Sequence, residues 1–126
     1  MKQAIAALAL LVGLTGCGAQ PQEPYRRITA EEAKALMDER TDEVVLDVRE
    51  PDEYAAGHIP GAVLLPVGSI DGESAAALIP GRDTLVLVYC RSGRRSQTAA
   101  EALAGLGYTD VAEFGGILDW PYGTEP

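Results

Sequence analysis

The sequence predicts an α/β protein in which a doubly wound, mainly parallel five-stranded sheet carries helices on both faces. Short apolar runs rich in β-branched residues alternate with short helical patterns from residue 25 onward. Two of these runs, residues 44–48 and 84–89, are apolar almost throughout, as in parallel strands that are buried on both faces. Ligands of such sheets bind at the carboxyl ends of the strands, so the functional site is expected at that edge.

The first half of the domain is expected to hold three strands and two helices. The strands are predicted at residues 25–28, 44–48 and 62–65. Thr29 stands three residues before Glu32, an arrangement typical of a capping box at the start of a helix. The second helix is predicted at residues 51–56, with a proline in its first turn and Gly57 as its C-terminal stop.

The second half adds two helices, two strands and a last helical turn. They are predicted at residues 74–79, 84–89, 97–106, 111–114 and 117–120. Ser96 is expected to open the longer helix and Gly107 to close it. The pair Gly115-Gly116 is expected to break the last strand.

The strongest functional signal is Cys90, which stands where an apolar strand meets a loop and a helix N-terminus. The segment that follows consists of Arg91, Ser92, Gly93, Arg94, Arg95 and Ser96. Backbone N–H groups converge at such a turn, and the helix dipole adds partial positive charge, so the segment predicts an anion site. The same environment lowers the pKa of a thiol, which predicts a nucleophilic thiolate at neutral pH.

The N-terminus predicts export and a lipid anchor. Lys2 precedes an uncharged apolar run at residues 4–14, which has the length of a signal-peptide core and is too short to span a bilayer. Residues 14–17 resemble a bacterial lipobox, which implies cleavage before Cys17 and lipidation of that cysteine. We therefore expect a lipoprotein signal peptide at residues 1–16, a tether at 17–24 and a folded domain at 25–124.

The charge balance limits the classes of partner. The chain has 10 Lys and Arg against 19 Asp and Glu. Loss of Lys2 with the signal peptide leaves nine basic residues and a net charge of −10, which argues against nucleic acid as a partner. Three of those nine lie next to Cys90, so a small anion is the expected ligand of the loop.

The chain has two cysteines. If Cys17 carries lipid, Cys90 has no partner for an intramolecular disulfide. A lone thiol in an exported protein is a candidate reactive group, because exported compartments are oxidising.

Three stretches resemble the rhodanese family of sulfurtransferases. Residues 46–54 with 57–62 resemble its N-terminal signature, residues 90–96 its active-site loop, and residues 115–120 its C-terminal signature. The resemblance spans about residues 25–122 and implies a single-domain member. It implies a thiosulfate sulfurtransferase in which Cys90 takes sulfane sulfur from a donor such as thiosulfate. The resulting persulfide passes that sulfur to a cyanide or thiol acceptor.

The site assignments follow from the loop and the resemblance together. Cys90 is the expected nucleophile, and residues 91–96 are the expected binding segment, with Arg95 the foremost candidate. Asp47 and Arg49 are candidates for a supporting shell, although Asp47 suits a structural carboxylate and Arg49 an ion pair with Glu53, four residues on. No metal or organic cofactor is expected, and the domain is expected to be a monomer.

The roles of two other residues and three alternative functions stay open. His58 favours a hydrogen bond within a turn over a role as general base, and Trp120 favours a core or rim position. A non-catalytic persulfide carrier or binding module would use the same thiol. A cysteine phosphatase or arsenate reductase is disfavoured because the loops of cysteine phosphatases resemble Cys-x5-Arg, whereas Ser96 occupies the sixth position after Cys90.

Overall fold

The computed structural model describes residues 24–126 and contains one sheet of five parallel strands covered on both faces by helices. The strand order is β1-β5-β4-β2-β3. The predicted fold class is confirmed. The expected signal peptide and nearly all of the tether lie outside the described residues, and no described helix is long and apolar enough to cross a membrane.

All five predicted strands are present, most of them with shorter bounds than the apolar patterns suggested. They are β1 (Arg26–Arg27), β2 (Val44–Asp47), β3 (Val63–Leu64), β4 (Val86–Cys90) and β5 (Val111–Gly116). The last strand was predicted to stop at the glycine pair, but it continues through Gly116. A register shift between β4 and β5 lets Cys90 pair with Gly116, which extends the strand to the edge where the loop after Cys90 begins.

The helices are α1 (Ala30–Glu39), α2 (Pro51–Ala56), α3 (Gly72–Leu78) and α4 (Arg94–Gly105), with 3₁₀ turns at Val67–Ser69 and Ile117–Asp119. The capping box of α1 is present as predicted. Two helix starts were predicted too late. Asp71 caps α3 by accepting a hydrogen bond from the Ser74 N–H, so this helix begins at Gly72. The αL conformation of Gly93 starts α4 at Arg94, two residues before Ser96.

The core is divided into two layers by the sheet. The layer under α3 and α4 contains Cys90 itself, packed among buried side chains of β2, β4 and both helices. The layer under α1 holds alternate residues of β2, β4 and β5, including Tyr89 and Phe114. Since successive side chains of a strand point to opposite faces, Cys90 is directed toward α4 and Tyr89 away from it.

Candidate active site

Cys90 ends the central strand β4 and lies beneath the N-terminus of α4. Its side chain is buried, with the residue 1% exposed. The Gly93 N–H donates a hydrogen bond to Cys90 Sγ at 3.0 Å, and Ser96 Oγ lies 3.5 Å from the sulfur. The strand, the three-residue loop and the helix start therefore close around one sulfur atom.

The surroundings lower the pKa of the Cys90 thiol. Burial, the largest single influence, raises it, because a thiolate loses its hydration in the core. Hydrogen bonding from the backbone N–H groups of Ser96, Gly93 and Ser92 acts in the opposite direction, and the net result is a lowered pKa. The loop thus favours the charged, nucleophilic form of the sulfur.

The loop is seated on the glycine pair at the end of β5. A Cβ placed on Gly116 would lie only 2.0 Å from the carbonyl oxygen of Arg91 and 2.6 Å from the Ser92 nitrogen. The same Arg91 carbonyl accepts a hydrogen bond of 3.2 Å from the Leu118 N–H. Only a residue without a side chain at position 116 allows the loop backbone to lie this close to the strand. The pair Gly115-Gly116 indicates a strand break in the sequence and gives no sign of this contact with the loop.

The three arginines of the loop differ in their surroundings. Arg91 and Arg94 are exposed to solvent. Arg95 is half-buried and donates two hydrogen bonds, of 2.8 and 3.0 Å, to the carboxylate of Glu53 on α2. This bidentate pair lowers the pKa of Glu53 to about 2. The hydrogen bonds to Glu53 raise the pKa of Arg95, and the nearby charge of Cys90 acts in the same direction.

Asp47 and Arg49 form a buried cluster with Tyr89 on the other face of the sheet. The Arg49 guanidinium donates to both carboxylate oxygens of Asp47 at 2.7–3.1 Å, and the Tyr89 hydroxyl donates to the same carboxylate at 2.5 Å. Asp47 also accepts the backbone N–H of Arg49, as expected of a structural carboxylate. The predicted ion pair between Arg49 and Glu53 is wrong, because each residue has its strong contact elsewhere.

Glu113 is a site residue that the sequence analysis missed. It lies on β5, is 2% exposed, and accepts hydrogen bonds at Oε2 from Ser96 Oγ at 2.6 Å and from the Gly115 N–H at 2.7 Å. A charged residue inside the buried run Val111–Phe114 was the available signal, since buried carboxylates require partners.

His58 and Trp120 make structural contacts. The His58 ring stacks on Tyr54 and its Nδ1 lies 3.0 Å from the Tyr54 carbonyl oxygen, in the turn that follows α2. Trp120 packs against Phe114 and donates its indole N–H to the Gly123 carbonyl. Within residues 24–126, no group of three or more His, Cys, Asp or Glu side chains is placed to hold a metal ion.

The fold and this geometry define an α/β domain built around a buried cysteine at a helix N-terminus. A family model described as the Rhodanese-like domain matches residues 29–121. The chain belongs to the rhodanese-like family.

Named relatives and a solved structure agree with the family. Over 74 residues the chain is 39% identical to thiosulfate sulfurtransferase PspE of Escherichia coli (strain K12), covering 59% of this chain and 70% of that protein. It is 42% identical over 99 residues to thiosulfate sulfurtransferase GlpE of Pseudomonas entomophila (strain L48), covering 76% and 84%. A structure described as rhodanese with anions from E. coli superposes with a TM-score of 0.62 at 36% identity, covering 66% of this chain and 96% of that one.

Proposed function

We propose that this protein is a thiosulfate sulfurtransferase that moves sulfane sulfur through a persulfide on Cys90. The observation that carries the proposal is the buried Cys90 thiol at the start of α4, where the Gly93 N–H donates a hydrogen bond to its sulfur. Relatives that share 39% and 42% of aligned residues are named thiosulfate sulfurtransferases, which supports the same reaction class.

In the first half-reaction the Cys90 thiolate attacks the outer sulfur of thiosulfate. A new S–S bond forms at Cys90, the S–S bond of the donor breaks, and sulfite leaves with the electron pair. The outer sulfur of the persulfide carries the negative charge. Backbone N–H groups of residues 91–96 suit that charge, because they are fixed in place before the sulfur arrives. Arg91, Arg94 and Arg95 supply positive charge for a dianionic donor.

In the second half-reaction a thiophilic acceptor attacks the outer sulfur. Cyanide leaves as thiocyanate, and a thiolate leaves as its own persulfide. In both cases the electron pair of the broken S–S bond returns to Cys90, which regenerates the thiolate. The same hydrogen bond from Gly93 that stabilises the attacking thiolate also stabilises it as a leaving group.

The direct test is intact-protein mass spectrometry before and after incubation with thiosulfate. We expect a gain of one sulfur atom, located on Cys90 by peptide mapping and removed by cyanide. Cys90→Ser is the matched control, since it keeps a small polar side chain at the position and lacks the nucleophile. Sulfur uptake by Cys90→Ser, or no uptake by a wild-type protein whose Cys90 is shown to react with an alkylating agent, would overturn the proposal.

Turnover separates the enzyme from the other functions that use the same thiol. An enzyme consumes many equivalents of thiosulfate in the presence of cyanide, whereas a persulfide carrier that waits for a protein partner loads once and stops. A phosphatase would hydrolyse an aryl phosphate, and an arsenate reductase would consume arsenate with thiol. Either activity at a rate similar to that of sulfur transfer would contradict the proposed function.

For the whole chain we propose an exported bacterial lipoprotein, held on the periplasmic or cell-surface side of a membrane by lipid on Cys17. The proposal rests on the N-terminal sequence alone. The membrane is then a partner through the lipid, while the domain itself is proposed to act as a monomer without cofactor or nucleic acid.

A further inference from the structure

Glu113 is a buried carboxylate that the proposed sulfur transfer does not use. It lies on β5 and is 2% exposed. An ionised carboxylate in such a position needs hydrogen bonds or a counter-charge. Glu113 has both: Oε2 accepts from Ser96 Oγ and from the Gly115 N–H, and Oε1 lies 3.6 Å from Arg27 Nε.

Ser96 connects this carboxylate to the nucleophile. Its hydroxyl carries one proton and has three acceptors within reach: Glu113 Oε2 at 2.6 Å, the Gly115 carbonyl oxygen at 3.3 Å and Cys90 Sγ at 3.5 Å. The shortest contact is to the charged oxygen, which holds the proton most strongly. A lone pair of Ser96 Oγ then faces Cys90. The hydroxyl can accept a hydrogen bond from the Cys90 thiol, but it donates none to the Cys90 thiolate.

We propose that Glu113 is a positioning residue that directs the Ser96 hydroxyl proton away from Cys90 and so keeps the nucleophile partly protonated at ambient pH. The inference rests on the proposed function, since it concerns the same thiol. Charge acts in the same direction as the hydrogen bond. The 3.5 and 2.6 Å contacts through Ser96 place Cys90 Sγ and Glu113 Oε2 at most about 6 Å apart. At an effective dielectric constant of about 20, two like charges at that distance are worth about two pKa units.

The other charged groups around the pair do not replace this interaction. On the neighbouring strand β1, the Arg27 side chain is 66% exposed, so solvent weakens its hold on Glu113, and β4 presents the apolar Val88 opposite Glu113. On the thiol side, Arg95 of α4 acts on Cys90 but is itself paired with Glu53 of α2. The other two charged groups there, Arg91 and Arg94, are exposed to solvent.

An interaction that raises the thiol pKa is useful to a sulfur nucleophile in such a loop. The helix N-terminus and the loop N–H groups lower the pKa of Cys90, but a thiolate becomes less nucleophilic as its pKa falls. The best attacking thiol has a pKa near the ambient pH. Glu113 opposes the loop and holds the Cys90 pKa closer to that optimum.

The test is the rate of alkylation of Cys90 by iodoacetamide as a function of pH, read on the Cys90 peptide by mass spectrometry. Glu113→Gln keeps the shape of the side chain and removes its charge. We expect the apparent thiol pKa to fall by about 1–2 units. Alkylation becomes faster at about pH 5.5 and, because the thiolate is less nucleophilic, slower on the alkaline plateau. An unchanged or raised thiol pKa in this variant would overturn the inference.

Two further variants complete the design. Glu101→Gln removes the same charge from an exposed position of α4 and should leave the alkylation profile as in the wild type. Glu113→Asp keeps the charge but withdraws it from Ser96 by one methylene, so a smaller fall in the thiol pKa is expected. No fall in Glu113→Asp would mean that Ser96 does not transmit the effect, and would contradict the positioning role. Circular dichroism verifies that each variant is folded.

Alkylation uses no sulfur donor, so this result is independent of the proposed function. If the protein takes no sulfur from thiosulfate but shows the expected pKa changes, only the proposed reaction is overturned. If it transfers sulfur but its thiol pKa does not change in Glu113→Gln, only the inference about Glu113 is overturned.

Discussion

Arg95 illustrates how one side chain serves two structural tasks near Cys90. Its guanidinium is fixed by two hydrogen bonds to Glu53, and its charge is felt by Cys90. A guanidinium has five N–H donors, and Glu53 occupies two of the nitrogens that bear them. The ion pair therefore holds Arg95 in a defined position, and other N–H groups of its guanidinium remain available to bind a small anion.

Arg95→Ala should raise the KM for thiosulfate by about tenfold, because a charge-assisted hydrogen bond to the dianion is lost. Stability should fall by no more than about 1 kcal/mol, since the ion pair is partly exposed. Steady-state kinetics and urea unfolding measure the two effects.

Glu53→Gln is the comparison for Arg95→Ala, since it weakens the ion pair and keeps the guanidinium. A KM raised equally by both variants would mean that Arg95 acts only by holding α2 against α4. A KM unchanged in Arg95→Ala would place this arginine outside the binding site.

Contacts between residues near in sequence could be predicted, and several between distant residues could not. The capping box of Thr29 and Glu32 and the placement of Cys90 at a strand end follow from local pattern. The same local reasoning paired Arg49 with Glu53, four residues apart, whereas Glu53 pairs with Arg95, 42 residues away. Spacing along one helix carries no information about which charge another helix brings opposite.

At the scale of elements, β5 has a larger part in the site than its sequence suggested. Its bulged pairing with β4 brings Gly116 beside Cys90, and the loop carbonyl of Arg91 lies against that glycine. Glu113 of the same strand reaches Ser96. The register shift that creates these contacts has no signature in the apolar pattern of either strand, so the sequence placed the strand without revealing its role.

Gly116→Ala should displace the nucleophile loop. The added Cβ would lie 2.0 Å from the Arg91 carbonyl oxygen, so the backbone must move. We expect destabilisation of about 2 kcal/mol or more and a loss of sulfur transfer larger than the loss of folded protein.

Gly105→Ala is the matched control for the loop contact. Gly105 ends α4, and a Cβ built there meets no atom within 4 Å beyond the adjacent backbone of its own helix. Alanine at this position should leave activity unchanged and stability unchanged or slightly raised, since it favours the helix. Thermal unfolding and turnover with thiosulfate and cyanide compare the two variants. Equal behaviour of both would contradict the close contact at Gly116.

At the scale of the whole molecule, an acidic body surrounds a basic loop. The chain has a net charge of −9, while three arginines follow Cys90 within five residues. Attraction of a small anion is thus confined to the loop, and the rest of the surface repels polyanions. This distribution agrees with a small-molecule donor and with the proposed absence of a nucleic-acid partner.

Cys17→Ala tests the proposed anchor. The variant should leave the membrane fraction or remain as the unprocessed precursor, because the residue that accepts the lipid is absent. Cys90→Ala is the matched control, since it removes the chain's other cysteine and should fractionate with membranes like the wild type. Immunoblots of membrane and soluble fractions, with the mass of the mature N-terminus, give the answer. Membrane attachment of Cys17→Ala at wild-type levels would contradict lipidation at this residue.

The pairing of β1 with β5 has a consequence for the newly made chain. Arg26 lies beside Ala112, so the first strand is joined to the sheet by the last one to leave the ribosome. The groups that surround Cys90 from β5 also come late, among them Glu113 and Gly116. Contacts this distant in sequence form late and delay folding. A chain still in synthesis therefore lacks the strand on which the loop after Cys90 is seated, so that loop takes its final form only after nearly the whole domain has emerged.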